Sequence, residues 1–301
     1  MARGLLDSAA LVALAPAHFT PARLRLPRLA PLRRTSCRTA ALALVVAALP
    51  LAGCGSDADG RGRASDGDAS RADAQPPVIP EPDGPYREGP VAGGGTIGGV
   101  VVFRGDLPAA PRPDGADAEC ASRARQAPAQ HRTGDRLGGA IVWLADARTG
   151  KPLPLERRYE MSLVGCDYAP RVQAVLAGGT LNVLNEDAID HRTTLVRQAS
   201  RDTTDDIPQF LPGQLVPVRD ALARPGLVEV ACTKHPWSRA WLAVFDHPYH
   251  DLTATDGAFS LDQVPPGEYT LMAWHAALGR VEQRVTVPAG GTATVEVRFG
   301  K

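Results

Sequence analysis

The residues best placed to do chemistry are Cys232 and His235, in the run Gly226-Leu-Val-Glu-Val-Ala-Cys232-Thr-Lys-His235-Pro-Trp-Ser238. The first half reads as a strand, along which side chains alternate between faces. Cys232 therefore shares a face with Val228 and Val230 and opposes Glu229. The thiol leaves the buried edge of a sheet where a loop carrying His235 begins. Upstream, Asn185-Glu-Asp187-Ala-Ile-Asp-His191 closes another strand-like stretch. Two imidazoles and one inward thiolate, on loops at one end of a β-sandwich, form the in-plane ligand set of a mononuclear copper site.

This pattern resembles the cupredoxins, the blue-copper family. There one histidine follows an Asn-x-Asp-type strand end, and a Cys-x-x-His-x-x-Met loop supplies the other ligands. The match is residue by residue at Asn185, Asp187, His191, Cys232 and His235, and it spans about residues 157 to 247. The resemblance implies one copper ion held by His191, Cys232 and His235, with His235 on the loop as the solvent-facing exit for the electron. The sequence departs at the axial position, where Ser238 stands in place of methionine. Three outcomes stay open: three-coordinate copper, entry of water, or recruitment of another side chain. His247 and His250 are candidates for that axial or supporting role, and surface or junction hydrogen bonding is their other reading.

The sandwich that must position these residues has company. Asp256-Gly257 marks a turn, and Ala258-Phe-Ser-Leu261 follows it. Then come Val264-Pro-Pro-Gly267, the strand Glu268 to Trp274, and two alternating stretches, Arg280 to Val287 and Thr292 to Phe299. Short strands at regular spacing between Gly/Pro turns predict an antiparallel sandwich. The string Asp-Gly-x-Phe-x-Leu-x-x-Val-Pro-Pro-Gly-x-Tyr is similar to the carboxypeptidase regulatory-like (transthyretin-like) domain. Gly95 to Phe103 and Gly139 to Leu144 look like its opening strands. The chain is thus expected to be all-β, a cupredoxin-like Greek-key sandwich plus a small immunoglobulin/transthyretin-like one. The expected boundaries are 95–155 and 251–301 for the second sandwich, with 156–250 inserted between them. If so, the stretches 146–155 and 246–251 must approach each other.

The N-terminus speaks to compartment. Arg33, Arg34 and Arg38 precede an apolar run from Thr39 to Leu49, closed by Leu51-Ala-Gly-Cys54. That run is too short for a membrane span and reads as a leader over 1–54. Leu-Ala-Gly-Cys looks like a bacterial lipobox, implying lipidation of Cys54 and anchoring to the cell envelope, on the outer membrane where a cell has two. Residues 55–94, rich in Asp, Gly, Ser and Pro, read as a disordered linker. The chain carries 33 basic and 33 acidic residues. Removing a leader with seven arginines and one aspartate leaves 26 basic against 32 acidic, a net charge of −6. Nothing in that balance recommends nucleic acid as a partner.

Five cysteines complete the picture. Cys37 lies in the leader and Cys54 at its end, leaving Cys120, Cys166 and Cys232 in an exported protein, where cysteines usually pair. Cys120 and Cys166 sit in loop-rich surroundings and form the natural disulfide, with Cys232 the unpaired thiol. A Cys166–Cys232 bridge is the alternative, and it would abolish the metal site. Gly-x-Ser-x-Gly, His-Glu-x-x-His and P-loop signatures are absent, so the expectation is a redox carrier with a partner protein in the envelope, not an enzyme. The alternatives are copper storage or delivery, and a metal-free scaffold or adhesion module.

Overall fold

The computed structural model describes residues 84–108, 120 and 132–300. The leader, Cys54 and most of the expected linker lie outside these. The described chain is all-β, and its strands form four main sheets.

Two of these sheets come from residues 158–245. One has the order Gln214–Val218, Thr180–Asn185, Arg158–Leu163, Tyr168–Ala169. The other has the order Thr203–Gln209, His191–Arg197, Gly226–Cys232, Arg239–Phe245, Val172–Leu176. They pack face to face over a core that includes Met161, Leu181, Val183, Leu195, Val228, Val230 and Leu242. The alternation expected for the cysteine strand holds: Val228, Val230 and Cys232 all enter this core, and Leu227 faces the other way.

The remaining two sheets combine strands from before and after this block. Gly95–Phe103 pairs with Ala258–Val264 and, in parallel, with Thr292–Phe299. Ile141–Leu144 lies between His250–Leu252 and Gly267–His275, which in turn pairs with Gly279–Val287. Ile97, Val101, Val142, Leu144, Leu261, Val285 and Phe299 fill the space between these sheets. At the junction, Lys151 N–H donates to the Tyr249 hydroxyl (2.9 Å) and Leu144 N–H to the Tyr249 carbonyl (3.1 Å). Gly150 adopts φ +151° there, and a Cβ would overlap the Tyr249 ring.

The two sandwiches share a third apolar layer. Ile141, Trp143, Met272 and Trp274 of one press against Leu176, Leu227, Ala243 and Phe245 of the other. The molecule is therefore a four-sheet stack, and the sheet carrying His191 and Cys232 is an inner layer whose second face is covered over Val172–Leu176, Leu227 and Arg239–Phe245. The cysteine strand follows suit: Val228, Val230 and Cys232 fill one face, and on the other Leu227 enters the shared layer while Glu229 pairs with Arg239 near its edge.

One boundary differs from the sequence expectation. The linker read through residue 94 ends earlier, because Arg87–Glu88 pairs in parallel with Thr149–Gly150. The Tyr86 hydroxyl also donates to the Lys151 carbonyl at 2.7 Å. Tyr86 supplies the apolar contact that a Pro/Gly-rich count alone overlooks, packing against the core of the surrounding sandwich.

Trp274 is 1% exposed and meets Trp241 edge-on at 5.5 Å between ring centroids. Trp274→Ala is expected to cost ~3–5 kcal/mol, the usual range for emptying a buried aromatic site. Denaturant unfolding checks this, and a loss below ~1 kcal/mol would mean that the shared layer does not hold the sandwiches together.

Candidate metal centre

His191 reaches its place through Asn185. Asn185 ends the strand Thr180–Asn185, and its side chain folds the next four residues into a compact turn. Its Oδ1 accepts from Asp187 N–H (3.0 Å) and its Nδ2 donates to the Ile189 carbonyl (3.0 Å). Asx side chains favour such turns because they mimic a backbone hydrogen bond. His191 then opens the strand His191–Arg197, on the same inward face as Thr193 and Leu195. Thr193 pairs directly with Cys232 in the ladder, so His191 is the diagonal neighbour of the thiol. His235 returns by a tight loop, in which Ser238 N–H donates to the His235 carbonyl (2.9 Å) and Cys232 N–H to the Ser238 carbonyl (3.2 Å).

These elements bring three donors together. Cys232 Sγ lies 3.6 Å from His191 Nδ1 and 3.5 Å from His235 Nδ1, and the two nitrogens are 3.1 Å apart. The centre of that triangle is about 2 Å from each corner. First-row metals sit ~2.0–2.1 Å from imidazole nitrogen and ~2.3 Å from thiolate sulfur, so the donor set fits such an ion in both type and spacing. All three residues are buried. Cys232 is the free cysteine among the described residues, and Cys120 and Cys166 are joined as a disulfide.

A carboxylate supports the triangle from outside. Asp187 Oδ2 lies 3.0 Å from His191 Nε2, and the Asp187 carboxylate accepts backbone N–H groups from Gly165 (2.6 Å) and Cys166 (2.7 Å). A proton held on Nε2 by this contact leaves Nδ1 with its lone pair toward Cys232, the arrangement that orients metal-binding histidines. Burial raises the Asp187 pKa, but the hydrogen bonds from His191, Cys166 and Gly165 outweigh it and hold the carboxyl below its usual value.

The metal-free triangle has its own electrostatics. Burial pushes the Cys232 thiol up, yet His191 and backbone groups of Arg192, Lys234 and His235 bring it down to about 6. Burial likewise depresses His191, and its contacts with Asp187 and Cys232 reverse this and raise it to about 9. Each partner thus favours the charged form of the other, thiolate and imidazolium, over the neutral pair while no metal is bound.

The structure departs from the sequence reading at two places. His235 is not a solvent-facing edge: it is 3% exposed, with Cys120 Sγ 3.7 Å from its Nε2 and Trp237 5.2 Å away, ring to ring. Trp237 is itself buried, donating its indole N–H to the Cys166 carbonyl (3.2 Å). His247 and His250 are not brought to the donors. The strand Arg239–Phe245 carries the chain ~20 Å from the ligand loop, and there His250 stacks on Phe245 (4.5 Å) while His247 flanks Tyr86 and Phe245. Ser238 stays beside the ligand loop, fully buried, and its hydroxyl has no hydrogen-bond partner among the described residues. The cover over His235 was invisible in sequence, since Cys120 is 115 residues away along the chain.

Residues 243–295 match the family model of polysaccharide lyase family 4, domain II. Among curated proteins no relative matches. Among solved structures, part of the chain is similar to a purple cupredoxin from Nitrosopumilus maritimus at 16% identity and a TM-score of 0.26, covering 29% of this chain and 99% of that one. Amicyanin from Paracoccus versutus is similar at 17% identity and a TM-score of 0.26, covering 31% and 85%. A copper-containing nitrite reductase from Thermus scotoductus SA-01 is similar at 16% identity and a TM-score of 0.27, covering 49% of this chain and 28% of that one. The donor geometry, not these likenesses, carries the functional conclusion.

Two outcomes follow from the pair's electrostatics. Metal binding at neutral pH should release a proton from His191 rather than from Cys232, as calorimetry in buffers of different ionisation enthalpy would register. Asp187→Asn loosens the Nε2 contact that orients the His191 ring and is expected to weaken metal affinity ~10–100-fold. In the metal-free protein, the Cys232 contribution to stability is lost as pH falls through about 6, and that of His191 as pH rises through about 9. Between these values the two contributions change in opposite directions and largely cancel, so denaturation midpoints should be nearly flat from about 6 to about 9. Cys232→Ala, which leaves the His191 contribution alone, should make them fall as pH rises.

Proposed function

We propose that this protein holds one copper ion between His191, Cys232 and His235, and serves as an electron carrier of the cell envelope. The observation that carries the reading is the buried triangle of two imidazole nitrogens and one thiolate, with edges of 3.1 to 3.6 Å. When bound, copper would supply a one-electron couple. The chain does the rest. Cys232, ionised above about 6, offers the soft donor that favours copper. Asp187 fixes the His191 ring, and the Cys232–Ser238 loop is closed by its own backbone bonds, so the donors are held before any ion arrives. Trp237 and the Cys120–Cys166 disulfide keep water from the His235 side. Ser238 stands at the sequence position where the resemblance puts methionine, and its hydroxyl, buried without a partner among the described residues, would be available to support a bound ion.

The Leu51-Ala-Gly-Cys54 box and the basic, then apolar, leader support an exported protein anchored by lipid at Cys54. The second sandwich braces the copper sheet through their shared layer. A carrier of this kind meets a redox partner protein and is not itself a catalyst. A second reading, copper storage or delivery, is favoured by one observation: the His235 ring, the expected route for the electron, is covered.

Copper reconstitution followed by optical and paramagnetic resonance spectra tests the site. An intense visible thiolate-to-copper band, abolished in Cys232→Ala, is the expected result. Absence of any band in the wild-type protein would sink the copper reading. Reversible oxidation and reduction of the loaded protein then supports the carrier, whereas tight Cu(I) retention without cycling supports storage.

A further inference from the structure

A second cluster of metal-type donors adjoins the first. The ligand atoms of Cys120, Cys166 and His235 lie within 4.8 Å of one another, and all three residues are buried. The two donor sets share one side chain from opposite sides. His235 turns Nδ1 toward Cys232 and His191, and Nε2 toward Cys120 Sγ at 3.7 Å. That last spacing matches the nitrogen–sulfur edge of the first triangle. The Cα atoms of the cysteine pair are 5.4 Å apart, close enough for both sulfurs to meet one ion once their mutual bond is opened. Trp237 and Ile189 complete the apolar wall around the pair.

We infer that the Cys120–Cys166 disulfide is the oxidised form of a second metal site, which on reduction takes Cu(I) between two thiolates and His235 Nε2. The opening step is a thiol–disulfide exchange with a dithiol reductant. Its two thiols become a disulfide, the Cys120–Cys166 bond breaks, and two electrons and two protons pass to the pair. Cu(I) then replaces the thiol protons. For both sites to fill at once, His235 must also give up its remaining ring proton and bridge the two ions as imidazolate.

The choice of metal follows from the donors. Two thiolates and one imidazole are soft, which selects Cu(I) or zinc over harder cations. Cu(I) accepts as few as three soft donors, and it is the ion that the proposed function already places in this protein. The device also gives the covered His235 a use. The group that closes the first site to solvent in oxidising surroundings becomes a second store of copper in reducing ones. The inference rests on the copper reading only for the identity of the metal.

The test is an anaerobic Cu(I) titration of the full chain against a chromophoric Cu(I) chelator, before and after reduction, with the reductant removed. Wild-type protein should bind one equivalent tightly when oxidised and two when reduced. Cys232→Ala should bind none when oxidised and one after reduction, isolating the second site. The double variant Cys120→Ser/Cys166→Ser should hold one equivalent under both conditions. Cys37 and Cys54 are present in every variant, so only the difference between wild type and the double variant counts. X-ray absorption should show more sulfur per copper in the reduced wild type than in the double variant. Equal uptake by reduced wild type and the double variant overturns the proposal. So does loss of the first equivalent on reduction, which would mark the disulfide as a staple of the fold. Failure of the copper reading has a different signature: oxidised wild type would bind no copper, whatever the reduced pair does.

Discussion

Asp187 is the hinge on which the donor geometry turns. Its carboxylate is almost fully buried, a costly position unless its oxygens are satisfied. It is satisfied by three groups from two separate parts of the chain: the Gly165 and Cys166 amides, and His191 Nε2. The same three contacts that make its burial tolerable fix the ring of a metal-type donor. They also tie the disulfide-bearing loop to the histidine strand. Removing the carboxylate would strand two amides and release the imidazole together, so the centre and the loop above it stand or fall as a unit.

The disulfide gives this centre a character that its donors alone would not suggest. Through Cys120 it touches the outer edge of His235, and through the Cys166 amide it reaches Asp187 and hence His191. Both imidazoles are thus braced by one cross-link on the side away from the thiolate. In a sandwich whose core face carries the donors, the end of the sandwich is the natural opening to solvent. Here that end is covered by Trp237 and the cross-link. A buried site of this kind is protected from competing ligands, and slower to exchange what it holds.

How much of this could be read from the sequence depended on distance along the chain. The alternation Val228, Val230, Cys232 is a local signal, and its period places the thiol correctly. The Asn185 to His191 turn is also local, encoded by an Asx residue and its neighbours. The strands from Ala258 to Phe299 were legible because each is bounded by Gly or Pro. His247 and His250 misled because their nearness in sequence to the ligand loop is undone by one extended strand, which moves them a full sheet length away. The burial of His235 could not be foreseen, since it depends on Cys120, Cys166 and Trp237 converging from three regions. Tyr86 was hidden for a related reason: one aromatic in a Pro-rich stretch is enough to pin it to a core.

The nesting of one sandwich within the other orders events during folding. Gly95–Phe103 finds its parallel neighbour Thr292–Phe299 at a separation of roughly 200 residues, a loop whose closure is entropically costly and slow. Synthesis completes the inserted sandwich while the surrounding one still lacks its later strands, and domains generally fold as units as they emerge. The outer face of the inserted sandwich already displays Leu176, Leu227, Ala243 and Phe245. Ile141 and Trp143, made earlier and left without partners, have an apolar surface waiting for them there. The inserted sandwich thus offers a preformed apolar surface against which the surrounding strands can be laid.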